Sequence, residues 1–164
     1  MNSNIFKGIS TLTGPSGSGK STYCRNIANK NPKNVFMLPQ DPVYLHTSIT
    51  RNITLDRPRI SFDYFKAIFD ILECESYIDY LTFERQSTTN KYVSLSGGQK
   101  RRIFLLRAFY KKYDNYILDE SFVGIPNSII ENFLELILQT KINMLIITHD
   151  ENIIKIINNN YIYE

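Results

Sequence analysis

A short glycine- and serine-rich segment near the start of the chain carries a lysine and a serine at a defined spacing. Its sequence, GPSGSGKS over residues 14–21, matches the phosphate-binding pattern G-x-x-x-x-G-K-[ST]. Glycines let the backbone curl so that N–H groups point at phosphate oxygens, and the helix that follows adds its positive end. We expect Lys20 to reach the terminal phosphates and the Ser21 hydroxyl to bind Mg²⁺. The nucleotide-binding residues predicted here are Gly14, Pro15, Ser16, Gly17, Ser18, Gly19, Lys20, Ser21 and Thr22.

Two adjacent carboxylates end an apolar run in the second half of the chain. Residues 116–118 are Tyr-Ile-Leu and precede Asp119 and Glu120, which predicts a buried strand that carries both acids at its C-terminal end. Parallel sheets bind their ligands at that edge. We expect Asp119 to hold Mg²⁺, directly or through water, and Glu120 to polarise the water that attacks a γ-phosphate.

The elements that must position these residues alternate between short apolar runs and helical patterns. The predicted strands cover residues 9–13, 35–38, 116–118, 144–147 and 161–163, and the predicted helices cover 21–29, 98–112, 126–139 and 151–157. One or two helical turns are expected at 48–53, two helices within 61–83 and a polar loop at 82–94. This alternation predicts an α/β fold with a parallel sheet covered by helices on both faces.

A third motif resembles the signature sequence of the ABC ATPases. It reads LSGGQ over residues 95–99 and runs into Lys-Arg-Arg. Ser96 and the N–H groups that follow it stand at a predicted helix start, where backbone dipoles favour an anion. In that family the segment faces the γ-phosphate bound by the opposite subunit. The resemblance therefore implies a head-to-tail dimer with ATP between the subunits, and it adds nucleotide-binding residues Ser96, Gly97, Gly98 and Gln99.

Two single residues fit the same resemblance. Gln40 follows the predicted strand 35–38 and looks like the family's Q-loop glutamine, which senses Mg²⁺ and the attacking water. His149 follows the predicted strand 144–147 and resembles the switch histidine that contacts the γ-phosphate. The resemblance thus implies a catalytic set of Glu120, His149, Gln40 and Lys20, and a metal-binding set of Ser21, Gln40 and Asp119.

The resemblance spans roughly residues 8–163 and implies one P-loop domain of the RecA-like type. We expect its core at about 5–40 and 113–164, with a helical subdomain at about 41–112. The usual cassette also has an antiparallel β subdomain, including an aromatic residue that stacks on adenine and a strand pair before the glutamine. Between Lys20 and Gln40 there is room for a helix and one strand, so we expect that subdomain to be missing. Phe6 is a candidate replacement for the adenine platform, with a plain core or edge aromatic as the alternative.

Three shorter segments can be compared with the family's usual pattern. Pro126 stands where the family's D-loop ends in aspartate, which puts communication between two sites in question. Residues 89–94 lack the acidic residue typical of exporter cassettes, whereas residues 40–55 look much like an exporter's Q-loop region. These features leave the class of transporter open.

Composition and charge exclude several function classes. The chain has 164 residues, of which 43% are hydrophobic and 21% charged, as in soluble globular domains. A net charge of +3 does not predict a nucleic-acid partner. We interpret the basic residues of the signature helix as a solvated face; these are Lys100, Arg101, Arg102, Arg107, Lys111 and Lys112. No run approaches the roughly 20 apolar residues of a membrane span. Cys24 and Cys74 are expected to be free thiols in a reducing cytosol, with Cys24 buried.

Together these features predict the ATP-hydrolysing subunit of an ABC transporter, with ATP and Mg²⁺ as its ligands. It is expected to pair with itself or a related cassette and to drive a separate transmembrane subunit from the cytoplasmic face, with Tyr44 and Leu45 as candidate contacts. The alternatives are a soluble ABC-type ATPase, a nucleotide or nucleoside kinase, and a cassette that binds ATP without turnover. The lack of sustained heptads between Gln40 and Ser96 argues against a repair-type ATPase. The signature segment and Glu120 argue against a kinase.

Overall fold

One parallel sheet forms the centre of the molecule. The computed structural model describes residues 6–56, 64–76, 78, 95–157 and 160–162. The strands are β1 (Ile9–Thr13), β2 (Val35–Leu38), β3 (Asn115–Asp119), β4 (Asn143–Ile147) and β5 (Asn160–Ile162). They lie in the order β2-β3-β4-β1-β5, and all four pairings are parallel. The predicted strands are confirmed to within one residue at each end.

Along the chain, helices separate the strands. They are α1 (Lys20–Lys30), α2 (Ile49–Thr54), α3 (Phe65–Ile71), α4 (Gly97–Phe109), α5 (Asn127–Leu138) and α6 (Glu151–Ile156), with a 3₁₀ turn at Cys74–Ser76. The α3 helix and this turn cover part of the region where two helices were predicted. The predicted loop at 82–94 lies outside the described residues.

The signature helix ends earlier than predicted. Instead of reaching residue 112, α4 ends at Phe109. Beyond it, the Tyr116 hydroxyl accepts a hydrogen bond from the Tyr113 N–H at 3.0 Å and donates one to the Lys111 carbonyl at 3.2 Å. A side chain from the next strand thus satisfies backbone groups that a longer helix would have used.

Side chains of the central strands alternate between two apolar clusters. In β3, Tyr116 and Leu118 join the larger cluster, whereas Ile117 joins the smaller one beside Cys24 of α1. Successive residues of a strand point to opposite faces, so this alternation means that helices cover both sides of the sheet. Aromatic stacking anchors the larger side, where the Phe109 and Tyr116 rings lie 4.5 Å apart. These contacts confirm the predicted α/β fold.

The arrangement of elements agrees with a shortened cassette. Between Lys20 and Gln40 the structure places only α1 and β2, as expected. All five strands fall within 5–40 and 113–164, and the elements described within 41–112 are all helical. The division into a core and a helical subdomain stays a prediction. Within the described residues, no helix has both the length and the apolar character that crossing a membrane requires.

Candidate active site

The loop between β1 and α1 has a backbone that depends on glycine. Gly14, Gly17 and Gly19 have φ angles of 141°, 78° and 95°, which residues with a β-carbon rarely adopt. The Lys20 ammonium donates hydrogen bonds to the Gly14 and Pro15 carbonyls, both at 2.7 Å. An ammonium has three N–H donors, so one remains for a ligand. The loop is therefore held in its curled form by its own lysine.

A cavity of about 550 Å³ lies beside this loop at the C-terminal edge of the sheet. Because β1, β3 and β4 are neighbours, the segments that follow them meet at this edge. The volume lies within the range of small-molecule sites. Residues from five segments form its wall: Ser16, Gly17, Gly19, Lys20, Ser21, Thr22, Gln40, Arg101, Asp119, Glu120, Val123, Ile147 and His149. The structure thus brings together every predicted catalytic and metal-binding residue.

The remaining predicted residues of the loop lie around the cavity in other ways. Gly14 and Pro15 contribute the carbonyls that hold Lys20. The buried Oγ atom of Ser18 has no hydrogen-bond partner among the described residues. A buried hydroxyl without a partner is uncommon in native structures, so this one is available to a ligand.

Glu120 has an uncommon backbone conformation and a carboxyl group with a raised pKa. Its φ angle is 45°, in the left-handed region that non-glycine residues avoid, and its N–H donates to the Ile147 carbonyl at 2.9 Å. Burial raises the pKa of its carboxyl above the ordinary value of 4.5. The negative charge of Asp119 raises the Glu120 pKa further. The charge and the backbone N–H of His149 and the charge of Lys20 lower it, without cancelling the effect of burial. The Oε1 atom is buried without a hydrogen-bond partner among the described residues, so Glu120 can accept a proton inside the cavity.

The three predicted metal-binding residues offer oxygen atoms only. The Ser21 hydroxyl, the Gln40 amide and the Asp119 carboxylate all belong to side chains that line the cavity, and Asp119 is 2% exposed. Within the described residues, no cluster of three or more His, Cys, Asp or Glu side chains could hold a metal ion. Mg²⁺ typically takes one or two protein oxygens together with substrate phosphates and waters. The donor set therefore fits Mg²⁺ in that mode.

The signature segment begins α4, as predicted, but does not line the cavity. Ser96 and Gly97 are exposed. The Gln99 N–H donates to the Ser96 Oγ at 3.2 Å, and the Ser96 N–H donates to the Gln99 Oε1 at 2.9 Å. This capping box fixes the helix start. Gly98 lies against the segment after β3, since a β-carbon there would stand 3.1 Å from the Gly124 carbonyl.

The prediction of a solvated basic face on α4 was wrong for Arg107 and for Arg102, whose side chain is 15% exposed. Arg107 is 7% exposed and donates to the Asn52 carbonyl at 2.6 Å, the Val43 carbonyl at 2.9 Å and the Asn52 Oδ1 at 3.1 Å. Arg101 lines the cavity and donates to the Gln40 carbonyl. The sequence held one signal for Arg107, because the apolar run at 103–106 circles the whole helix, as in helices buried on all sides.

Two further expectations concern the face of the sheet that carries α1. Cys24 is confirmed as buried, with an exposure of 0%. Burial and the charge of Asp119 raise the pKa of its thiol to about 12. Phe6 is partly buried against the smaller apolar cluster and is not among the residues that line the cavity. This packing favours the interpretation of Phe6 as a core aromatic.

Comparison with known proteins identifies ABC transporters as relatives of this chain. A family model described as ABC transporter matches residues 28–123, which include Gln40, the signature segment and both acids. The ABC transporter C family member 2 of Dictyostelium discoideum is 31% identical over 124 residues, covering 68% of this chain and 9% of that protein. The ABC transporter D family member 1 of the same organism is 27% identical over 174 residues, covering 93% and 24%. The chain thus spans less than a quarter of the length of these relatives.

A solved structure agrees with these sequence matches. The "Structure of a bacterial Atm1-family ABC exporter with ATP bound" superposes with a TM-score of 0.73 at 19% identity, over 94% of this chain and 32% of that one. At this identity the match shows the fold. Because the family model covers more than half of the 164 residues and the fold agrees, the chain belongs to the ABC transporter family.

Proposed function

We propose that this chain binds and hydrolyses ATP as the ATPase part of an ABC transporter, working as a head-to-tail dimer that drives a separate transmembrane subunit. The observation that carries the proposal is the cavity at the sheet edge, where the glycine loop, Lys20, Gln40, both acids and His149 meet. Membership of the ABC transporter family supports ATP as the ligand.

The polar groups of this cavity suit the hydrolysis of a γ-phosphate. Backbone N–H groups of the loop and the Lys20 ammonium would bind the phosphates and balance their charge. Glu120, with its unpartnered Oε1, would take a proton from the water that attacks the γ-phosphorus, and ADP leaves as the bond to the γ-phosphate breaks. Gln40 would orient that water, and His149 would donate a hydrogen bond to the γ-phosphate. Mg²⁺, held by Ser21, Asp119 and Gln40, would neutralise phosphate charge.

The exposed position of the signature segment supports the dimer. Ser96 caps α4 and faces outside the cavity wall of its own chain, yet the first turn of a helix attracts anions. In a head-to-tail pair, the Ser96 segment of one chain would close the nucleotide cavity of the other. Each chain would then bind one ATP against its own glycine loop, and the two ATP molecules would hold the dimer together.

The relatives support coupling to a membrane subunit. Their names are those of transporters, and the chain corresponds to a small part of them. We place the protein in the cytoplasm on the inner face of a membrane, with the segment after Gln40 as the contact with the transmembrane subunit. Tyr44 and Leu45, the predicted contact residues, are partly buried there. Val43, at 70% exposure, is the most exposed apolar side chain of that segment.

Replacing the proposed base tests the enzymatic part of the proposal. Glu120→Gln should keep ATP binding, lose about 10²–10⁴ in turnover, and accumulate as dimers in the presence of ATP. Phosphate release and light scattering after size-exclusion chromatography measure both effects. Glu135→Gln, which changes an exposed glutamate of α5, is the matched control. Full turnover by Glu120→Gln would reject the base, and absence of ATP hydrolysis by the unmodified protein would reject the function.

A further inference from the structure

We infer that Arg101 is a positioning residue for the reaction, because it fastens the backbone of Gln40 to the signature helix at the cavity wall. The Arg101 Nη1 atom donates a hydrogen bond to the Gln40 carbonyl oxygen at 2.5 Å, across 61 residues of sequence. Both side chains line the same cavity as Glu120 and His149. The inference rests on the proposed function, in which Gln40 orients the attacking water.

The segment that carries Gln40 needs side chains to hold it. From the end of β2 to the start of α2 the backbone forms neither helix nor strand, so no hydrogen-bond ladder fixes it. Asn52 bonds both the N–H and the carbonyl of Leu45, at 2.8 and 3.0 Å. Arg107 bonds the Val43 carbonyl. Among the described residues, the Arg101 guanidinium is the group that binds the backbone of Gln40 itself.

Several side chains of one face of α4 contact this segment. The Lys100 Nζ lies 5.5 Å from the centre of the Tyr44 ring, and the Phe104 ring centre lies 6.3 Å from it. Together with Arg101 and Arg107, these side chains recur at the spacing of one helix face. The start of α4 is the signature segment, so a shift of that segment is carried to Gln40 through a single rigid helix.

Arg101 is the contact of this face that lines the cavity, and it is less buried than Arg107. Arg107 is 7% exposed and bonds three oxygens, so it acts as a permanent anchor. Arg101 is only partly buried, and its bond to Gln40 lies at the surface of the cavity. Loss of that bond releases Gln40 while leaving the rest of the segment in place. The expected defect is therefore in turnover, with no loss of ATP affinity or of folding.

The test compares Arg101→Met, Arg101→Lys and the unmodified protein. Arg101→Met keeps the length of the side chain but has no donor, and it should lower kcat about ten- to a hundred-fold, as misplacement of a reacting group does, with the Kd for ATP within about twofold. Arg101→Lys should restore most of kcat, because one charged donor suffices for one carbonyl. A weaker Kd for ATP with unchanged kcat would show that Arg101 binds phosphate instead, and an unchanged kcat and Kd would also overturn the inference.

A second readout does not depend on hydrolysis. In Arg101→Met, the backbone amides of Gln40, Asp41, Val43 and Tyr44 should exchange with deuterium faster than in the unmodified protein, since the local opening of this segment becomes easier. Arg102→Met is the matched control, because the hydrogen bonds described for the neighbouring Arg102 go to Leu72 and Glu73 instead of Gln40. Unchanged exchange at 40–44 would refute the positioning role even if the protein proved to have no ATPase activity. Absent hydrolysis with faster exchange would instead refute the proposed function alone.

Discussion

Replacing Arg107 by methionine should lower the free energy of unfolding far more than the replacement of an exposed arginine would. The guanidinium is buried between α4 and the segment after β2. It donates to two carbonyls, those of Asn52 and Val43, and to the Asn52 side chain. It also lies 4.9 Å from the centre of the Phe104 ring. Methionine replaces the aliphatic part of arginine but supplies no donor.

The size of the effect follows from the oxygens left without a donor. Asn52 is fully buried, and its Oδ1 still accepts a hydrogen bond from the Leu45 N–H at 2.8 Å. The two carbonyls lose their charged partner, and a buried acceptor without a partner costs about 1–3 kcal/mol. The Val43 carbonyl can recover part of this loss by binding water. We therefore expect a decrease of about 3 kcal/mol in the free energy of unfolding.

Thermal and denaturant unfolding measure this decrease. For a domain of this length, about 3 kcal/mol corresponds to a Tm that is about 6–12 °C lower. Arg51→Met is the matched control, because that side chain is 57% exposed in an ion pair with Asp56, and such pairs contribute about 0–1 kcal/mol. A loss below about 1 kcal/mol for Arg107→Met would refute the reasoning that these hydrogen bonds hold the segment.

Three other predictions rest on raised pKa values. Because the pKa of Glu120 is raised above 4.5 in the protein without nucleotide and a base must be ionised, the acid limb of kcat/KM against pH should lie above that value; a limb at or below it would contradict the assignment. The raised pKa also means that Glu120 ionises more easily in the unfolded chain. Stability is therefore lost as pH rises from the pKa of the unfolded state through that of the folded state. Glu120→Gln should then raise the Tm at pH 7.5 and leave it unchanged at pH values below both pKa values. Cys24, with a pKa of about 12 and 0% exposure, should resist maleimide in the native protein and react in denaturant, as mass spectrometry would show.

The sheet edge was predictable because local patterns mark where strands end. One apolar run stops at Asp119 and another stops two residues before His149, and parallel strands bring their C-terminal ends to one edge. Glycine spacing marked the phosphate loop in the same way. Local sequence was therefore enough to predict which residues would share a cavity.

The features that the sequence did not predict depend on contacts between distant segments. Arg107 was interpreted as solvated because arginine is usually exposed, but the irregular segment after β2 offers it carbonyls. Arg101 reaches Gln40 only because α4 lies across that segment. The end of α4 is set by the Tyr116 hydroxyl of β3. The partners of both arginines are far along the chain, whereas Tyr116 is close in sequence but belongs to the next strand, so helical periodicity carries no signal of these contacts.

The claim that two chains share each site is tested most directly by mixing two inactive variants. Ser96→Arg damages the signature segment and Glu120→Gln removes the base, so each should be inactive alone. In a mixed dimer, the cavity of the Ser96→Arg chain meets the intact signature segment of its partner, and that site has every proposed group. With random pairing at equal concentrations, half of the dimers are mixed and each has one complete site, so about a quarter of the unmodified turnover should return. If the mixture is as inactive as its components at every ratio, the shared-site account is wrong.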